Sequence, residues 1–257
     1  PPDAQESRGL GDVYKRQADW LESQEHTVYR IDPKLYPMTD KDEALMECTH
    51  VIIAVPTPML EDGTCDDSAV KEILSDNAMD YRHKILLKST VTPELINNYP
   101  VQVCVSPEFL RARHAKQDFE NSEVLVVGHH ENNSRDADEW IEMFIALTPQ
   151  VTKCSRETAS LIKYTHNAWL ATKVAFFHEL FKRTRNMENF NYNDLSMTLS
   201  RMKNIGASHM IVPNDEGGLG YTGHCFPKDI EALTNFFKHS ILEQVKATNK
   251  QLNKDRV

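Results

Sequence analysis

The sequence predicts an α/β domain on a Rossmann-like doubly wound parallel sheet, followed by an all-helical domain. Two observations carry that expectation. From residue 27 to about 155, short β-branched and aliphatic runs alternate with stretches of helical periodicity, the signature of βαβ units. Beyond Cys154 the strand pattern stops and a long, apolar, helix-forming run begins.

The expected strands are TVYRID (27–32), HVIIAVP (50–56), KILLKST (84–90), VQVCV (101–105), EVLVVG (123–128) and QVTKC (150–154). Several are near-continuous apolar runs, which suits parallel strands covered on both faces. Helices are expected at 40–47, 67–77 and 132–147, and KRQADWLESQ offers one ahead of the first strand. In the helical domain, 157–186 has no Gly or Pro and is apolar almost all round at its centre. Such a helix must be buried on most sides, within a domain or across a subunit interface. A second helix is expected at 192–203, then a long Gly- and Pro-containing loop at 207–229, and a final helix from about 227 to 253. A loop of that length without its own secondary structure is often functional.

A Rossmann sheet opens with a strand, a glycine turn and a helix, and that opening is missing. Gly9-Leu10-Gly11 has nearly the right distance to Asp32, but Tyr14 stands at the third glycine position and PPDAQESR cannot make a buried strand. Residues 1–17 are therefore expected to be a non-native leader, 18–155 the sheet domain and 156–257 the helical domain.

Composition narrows the function. A net charge of -9 argues against nucleic acid, whose phosphates call for clustered Lys and Arg. No apolar run reaches the ~18 residues that span a bilayer, so no membrane association is expected. Cys48, Cys65, Cys104, Cys154 and Cys225 form no CxxC pair, so neither a metal site nor a disulfide framework is expected, in keeping with a cytoplasmic location.

Polar residues recur where strands should end, the edge at which open α/β sheets bind ligands. Asp32 closes the first run with Lys34 two residues on; it suits a ribose, and equally a turn-forming Asp-Pro. Thr57 follows AVPTP, Thr90 lies in KSTVTPE, and Glu108 in SPEFLRARHA. One such residue reads as ordinary loop; three on successive strands line a cleft. Lys163 and Asn167 lie four apart on the long helix and project from one face, toward a polar cleft or toward solvent. In GLGYTGHCFPKD (218–229), Cys225 is expected just before a helix begun by Pro227. There the helix dipole and a cation (His224, Lys228 or Lys163) favour thiolate. Asp229 reads on its own as a favourable charge in that helix's first turn.

AVPTP, KSTV, SPEFLR, the Lys163/Asn167 helix and GxxGHCFPKD, in this order, resemble the UDP-glucose/GDP-mannose dehydrogenase family from residue 18 to the end, with CFPKD most similar to the UDP-glucose branch. The resemblance implies NAD-dependent, four-electron oxidation of a nucleotide sugar, UDP-glucose to UDP-glucuronate, in a homodimer formed through 157–186. It implies Cys225 as nucleophile, Lys163 and Asn167 as stabilisers of oxyanion charge, and Thr90, Glu108 and Asp229 as handlers of protons and water. Asp32, Lys34, Thr57, Thr90 and Lys228 match NAD contacts. Glu108, Phe109, Leu110, Lys163, Asn167, Gly220, Tyr221 and Gly223 match the substrate site. Against the family pattern the chain is expected to be truncated at both ends. Ala112 replaces an acid, Thr222 a glycine and His224 a serine. The His is similar to N-acetylmannosamine-nucleotide dehydrogenases, which keeps that sugar and GDP-mannose open beside a non-catalytic dimerisation module.

Overall fold

The computed structural model describes residues 15–110, 115–238 and 241–254; Gly9-Leu10-Gly11 and Ala112 lie outside them. The chain forms two compact units, residues 1–58 with 66–163 and residues 59–65 with 164–257.

In the first unit, helix α1 (residues 15–23) is followed by α2 (Lys41–Glu47), β1 (His50–Ile53), α3 (Ser68–Leu74), β2 (Lys84–Leu87) and α4 (Pro93–Ile96). Next come β3 (Val103–Val105), α5 (Ala115–Glu120), β4 (Leu125–His129), α6 (Ser134–Phe144), a 3-10 turn (Ile145–Leu147) and β5 (Val151–Ser155). The strands form one sheet in sequence order. β1, β2 and β3 run parallel, as do β4 and β5. One pairing departs from the all-parallel expectation: β3 meets β4 antiparallel through Val105 and Gly128.

Local chemistry sets several boundaries. Asp40 caps α2, its carboxylate accepting from the Asp42 and Glu43 amides at 3.0 and 3.1 Å. The strand expected at 27–32 does not form: these residues have no ladder partner among the described residues. A strand is defined by pairing, and apolar alternation alone cannot supply it. Arg30 anchors the segment instead, reaching Asp19 at 2.8 Å and Glu22 at 2.7 Å on α1.

The first unit's core joins sheet and helices. Ala137, Trp140 and Phe144 recur on one face of α6 and pack with Leu21, Leu86, Cys104, Leu125 and Val127. Burial pushes the Cys104 thiol up to about 12, so it behaves as a small hydrophobe. Gly128 admits the start of the long helix α7 (Arg156–Thr184): a Cβ there would lie 2.6 Å from Ala159 Cβ.

The second unit holds most of α7, then α8 (Tyr192–Ser200), α9 (Cys225–Phe237) and α10 (Ile241–Leu252). The single final helix expected from the sequence is two, interrupted where Lys238 takes φ 45°. Helix α9 also begins two residues earlier than expected, at Cys225, with Pro227 inside its first turn. The first four helical N–H groups have no intrahelical acceptor, so a proline there forfeits nothing.

Candidate active site

Each unit assembles part of the predicted residue set. In the first, the hydroxyl of Thr57, a buried residue, donates to the Thr90 carbonyl at 2.7 Å and ties the loops after β1 and β2 together. Ser89 Oγ reinforces that tie, accepting from Val55 N at 2.9 Å and donating to Val55 O at 2.7 Å.

Glu108 is held by a lysine that the sequence reading passed over. Lys88 has a side chain only 5% exposed and lies 2.6 Å from Glu108 Oε1; its ammonium also donates to Ser106 Oγ at 3.1 Å. Gln17 donates to the same Oε1. Lys163 Nζ donates to the Glu108 carbonyl and stands 5.5 Å from the centre of the Phe109 ring. Thus Glu108, Phe109 and Lys163 come together around one segment, and Leu110 follows in the same half-buried stretch. A lysine at the end of an otherwise apolar strand was the available clue to Lys88, because a buried ammonium requires a partner.

Asp32 is half-buried, and its Oδ1 accepts from the amides of Lys34 and Leu35 at 2.8 and 3.1 Å. The turn reading of Asp-Pro therefore holds, and Oδ2 has no partner among the described residues. Asp32 and Lys34 line one end of a cavity of about 1170 Å³ that also touches Ala54, Val55 and Pro56. An acceptor oxygen facing a cavity beside the residues that follow β1 fits the ribose of a dinucleotide.

In the second unit, Asn167, Lys228 and Asp229 form one polar chain. Asp229 is 1% exposed; its Oδ2 accepts from Asn167 Nδ2 at 2.5 Å and its Oδ1 from Lys228 Nζ at 2.6 Å. Lys228 Nζ also stands 5.8 Å from the centre of the Tyr164 ring. A carboxylate so buried is tolerated because an ammonium and an amide engage its two oxygens. Its partners make it more than a favourable charge at a helix start. Cys225 is the first residue of α9 and the exposed one among the five cysteines.

The glycine loop ahead of Cys225 is fastened by buried polar side chains that the sequence did not mark. His178 Nδ1 accepts from Gly220 N at 2.9 Å, and its Nε2 donates to Ile211 O at 2.9 Å. Asn249 Oδ1 accepts from Tyr221 N at 2.7 Å while its Nδ2 donates to Tyr221 O at 3.1 Å. Lys173 Nζ donates to the carbonyls of Ile205 and Gly206 at 2.9 and 2.8 Å. Tyr221 itself is buried, which pushes its phenol up to about 12; it packs edge-on against Phe226. Gly223 lies in open space, with nothing within 4 Å of where a Cβ would stand.

A mostly parallel sheet with an acidic turn bordering a cavity beside the residues that follow β1, joined in sequence to a helical unit, fits a dinucleotide-binding architecture. Residues 23–145 match the NAD binding domain of the UDP-glucose/GDP-mannose dehydrogenase family, and residues 157–252 match that family's central domain. The chain belongs to this family, whose cofactor is NAD. It is 32% identical over 229 residues to UDP-glucose 6-dehydrogenase of Rickettsia bellii, covering 82% of this chain and 51% of that protein. The structure is similar to a UDP-glucose dehydrogenase from Pyrobaculum islandicum, with TM-score 0.67 and 25% identity over 83% of this chain and 52% of that one. It also shares its fold with a UDP-D-ManNAc dehydrogenase from Pyrococcus horikoshii, with TM-score 0.67 and 20% identity over 83% of this chain and 53% of that one. The chain thus spans about half the length of the relatives it matches.

Proposed function

We propose that this chain carries the NAD-binding and catalytic units of a nucleotide-sugar 6-dehydrogenase that oxidises UDP-glucose to UDP-glucuronate. The observation that carries the reading is Cys225, an exposed thiol at the start of a thirteen-residue helix whose first turns also carry Lys228 and Asp229, the latter bonded to Asn167 of α7. The peptide N–H groups of the first turn, Pro227 having none, lack intrahelical acceptors and favour thiolate there.

NAD, when bound, accepts hydride from the sugar's C6 in each of the two oxidations. Asp32 Oδ2 would receive the adenosine ribose, with Lys34, Thr57, Thr90 and Lys228 as further contacts. Thr90, Asp229 and Lys163 handle the hydroxyl proton of the first step. The Cys225 thiolate then adds to the aldehyde carbon and forms a thiohemiacetal. Loss of hydride from that adduct leaves a thioester, which water cleaves to release the carboxylate and restore the thiol. Lys163 and Asn167 donate to the oxyanions of both tetrahedral species. Asp229 also aims the Asn167 amide and the Lys228 ammonium, which donate to its two oxygens. Glu108, Phe109, Leu110, Gly220, Tyr221 and Gly223 are assigned to the sugar nucleotide.

The homodimer is part of the same proposal. Trp169 and Phe176, seven residues apart on α7, are 61% and 62% exposed on an otherwise largely buried helix. Aromatic pairs of this kind are interface anchors. A cytoplasmic setting is likewise proposed; among the described residues no helix is long and apolar enough to cross a membrane.

The test is uronate production by the wild type and by Cys225→Ser, with UDP-glucose, UDP-N-acetylmannosamine and GDP-mannose each supplied with NAD. Loss of the carboxylate product in the variant is expected, and undiminished uronate would refute the assignment. His224 favours UDP-N-acetylmannosamine as the second reading, and NADH formation with that sugar alone would select it. A wild type that fails to bind NAD even at millimolar concentration would favour the non-catalytic module.

A further inference from the structure

The polar chain of the second unit runs one residue beyond Asn167. His166, half-buried beside it on α7, has its Nδ1 3.0 Å from Asn167 Oδ1. Consecutive side chains on a helix diverge by about 100°, so helix geometry alone does not bring these two together. The contact extends a row of polar groups, His166, Asn167, Asp229 and Lys228, from α7 into the opening turns of α9.

The row fixes its own donors and acceptors. The Lys228 ammonium only donates, and the Asp229 carboxylate only accepts. Asn167 therefore turns its NH2 toward Asp229 Oδ2, which it reaches at 2.5 Å, and its carbonyl oxygen toward His166. That oxygen cannot donate, so the hydrogen between the two residues sits on His166 Nδ1. The imidazole tautomer is thus set from α9, through the amide.

Asn167 is 4% exposed, and only one of its two amide hydrogens has an acceptor among the described residues, Asp229. The other is the one that the proposed reaction offers to an oxyanion. A hydrogen bond accepted at an amide oxygen draws electron density from the nitrogen, which makes the N–H a better donor. The same bond, opposite the one to Asp229, holds the amide plane at both ends.

We propose that His166 is a positioning residue for the oxidation: its Nδ1–H pins and polarises the Asn167 amide, so that the remaining N–H is aimed at the oxyanion. The inference rests on the proposed reaction, in which Asn167 stabilises both tetrahedral species.

The test compares kcat and KM for UDP-glucose oxidation with NAD in wild type, His166→Leu, His166→Asn and His166→Asp. Leucine removes the donor, asparagine keeps an N–H near the place of Nδ1, and aspartate has the shape of asparagine without that hydrogen. His166→Leu is expected to lose about tenfold in kcat with KM for the sugar little changed, because the oxyanion develops only in the transition state. That is less than the roughly 10²–10³-fold expected when the donor itself is removed in Asn167→Ala. His166→Asn is expected to recover most of the loss and His166→Asp none of it. A side chain that only fills space would leave kcat per folded enzyme unchanged in every variant. Should His166→Leu not fold, the asparagine and aspartate variants make the same discrimination. A second readout needs no turnover: nitrogen-15 resonances of the neutral His166 ring are expected to show the Nδ1–H tautomer. Equal kcat in an active wild type and His166→Leu, or an Nε2–H tautomer, would overturn the proposal and leave the reaction standing. A wild type that binds NAD but oxidises no nucleotide sugar would overturn the reaction and this role with it.

Discussion

Gly220 and Gly223 offer a matched pair for testing how the cysteine loop is held. Both take left-handed backbone angles, φ 82° and 79°. An alanine at either position pays a left-handed strain of about 1–2 kcal/mol, partly offset by about 0.4–1 kcal/mol from restricting the unfolded chain. Their surroundings differ. A Cβ on Gly220 would lie 2.4 Å from Asn249 Oδ1 and 2.5 Å from Asn253 Oδ1, whereas one on Gly223 meets nothing within 4 Å. Room for Gly220→Ala therefore requires Asn249 to move, and Asn249 makes both hydrogen bonds to the Tyr221 backbone. Losing them leaves a buried N–H unsatisfied, at about 1–3 kcal/mol. The expected destabilisation is about 2–4 kcal/mol for Gly220→Ala and about 1 kcal/mol for Gly223→Ala. Denaturant unfolding followed by Trp169 fluorescence and far-ultraviolet circular dichroism reads the difference as a midpoint shift at constant slope. Equal losses in the two variants, within about 0.5 kcal/mol, would refute the claim that Asn249 clamps this loop.

Two further perturbations probe the buried polar ties. Lys88→Met strands the Glu108 carboxylate, whose side chain is 17% exposed, and is expected to cost about 2–4 kcal/mol. Adding Glu108→Gln should recover more than half of that loss; a double variant no more stable than the single one would show that the pair is not the cause. His178 is held neutral chiefly by burial, which lowers its pKa, although its bond to the Ile211 carbonyl opposes the shift. A folded-state pKa below the unfolded value means that the unfolded chain binds the proton first. Its stabilising contribution is therefore full above about pH 6.5 and is lost as pH falls through the folded-state pKa. The stability gap between wild type and His178→Gln should narrow between about pH 7.5 and pH 5, and a gap independent of pH would count against the Gly220 bond.

The sequence and the structure agree where a residue's own character decides its environment. KILL and VCV are apolar enough to demand cover on both faces, and both became buried parallel strands. The helical run after Cys154 had no breaker, and it formed α7 nearly as expected. They part where the decision belongs to a partner. TVYRID has the composition of a strand, but a strand is a relation between two backbones, and its expected neighbour is not among the described residues. Pro227 looked like a helix start because proline favours the first turn, yet any position in that turn serves equally well, and Cys225 took the lead. Lys88, Lys173, His178 and Asn249 were passed over for the same reason. Lys88, Lys173 and His178 are polar residues in apolar runs and Asn249 lies in a polar one, and only the fold shows which carboxylate, carbonyl or amide each engages. These ties hold the segments that carry Glu108, Gly220 and Tyr221. Much of the candidate site is therefore positioned by residues that make no chemistry of their own, and a motif search, which weighs only the chemistry, cannot find them.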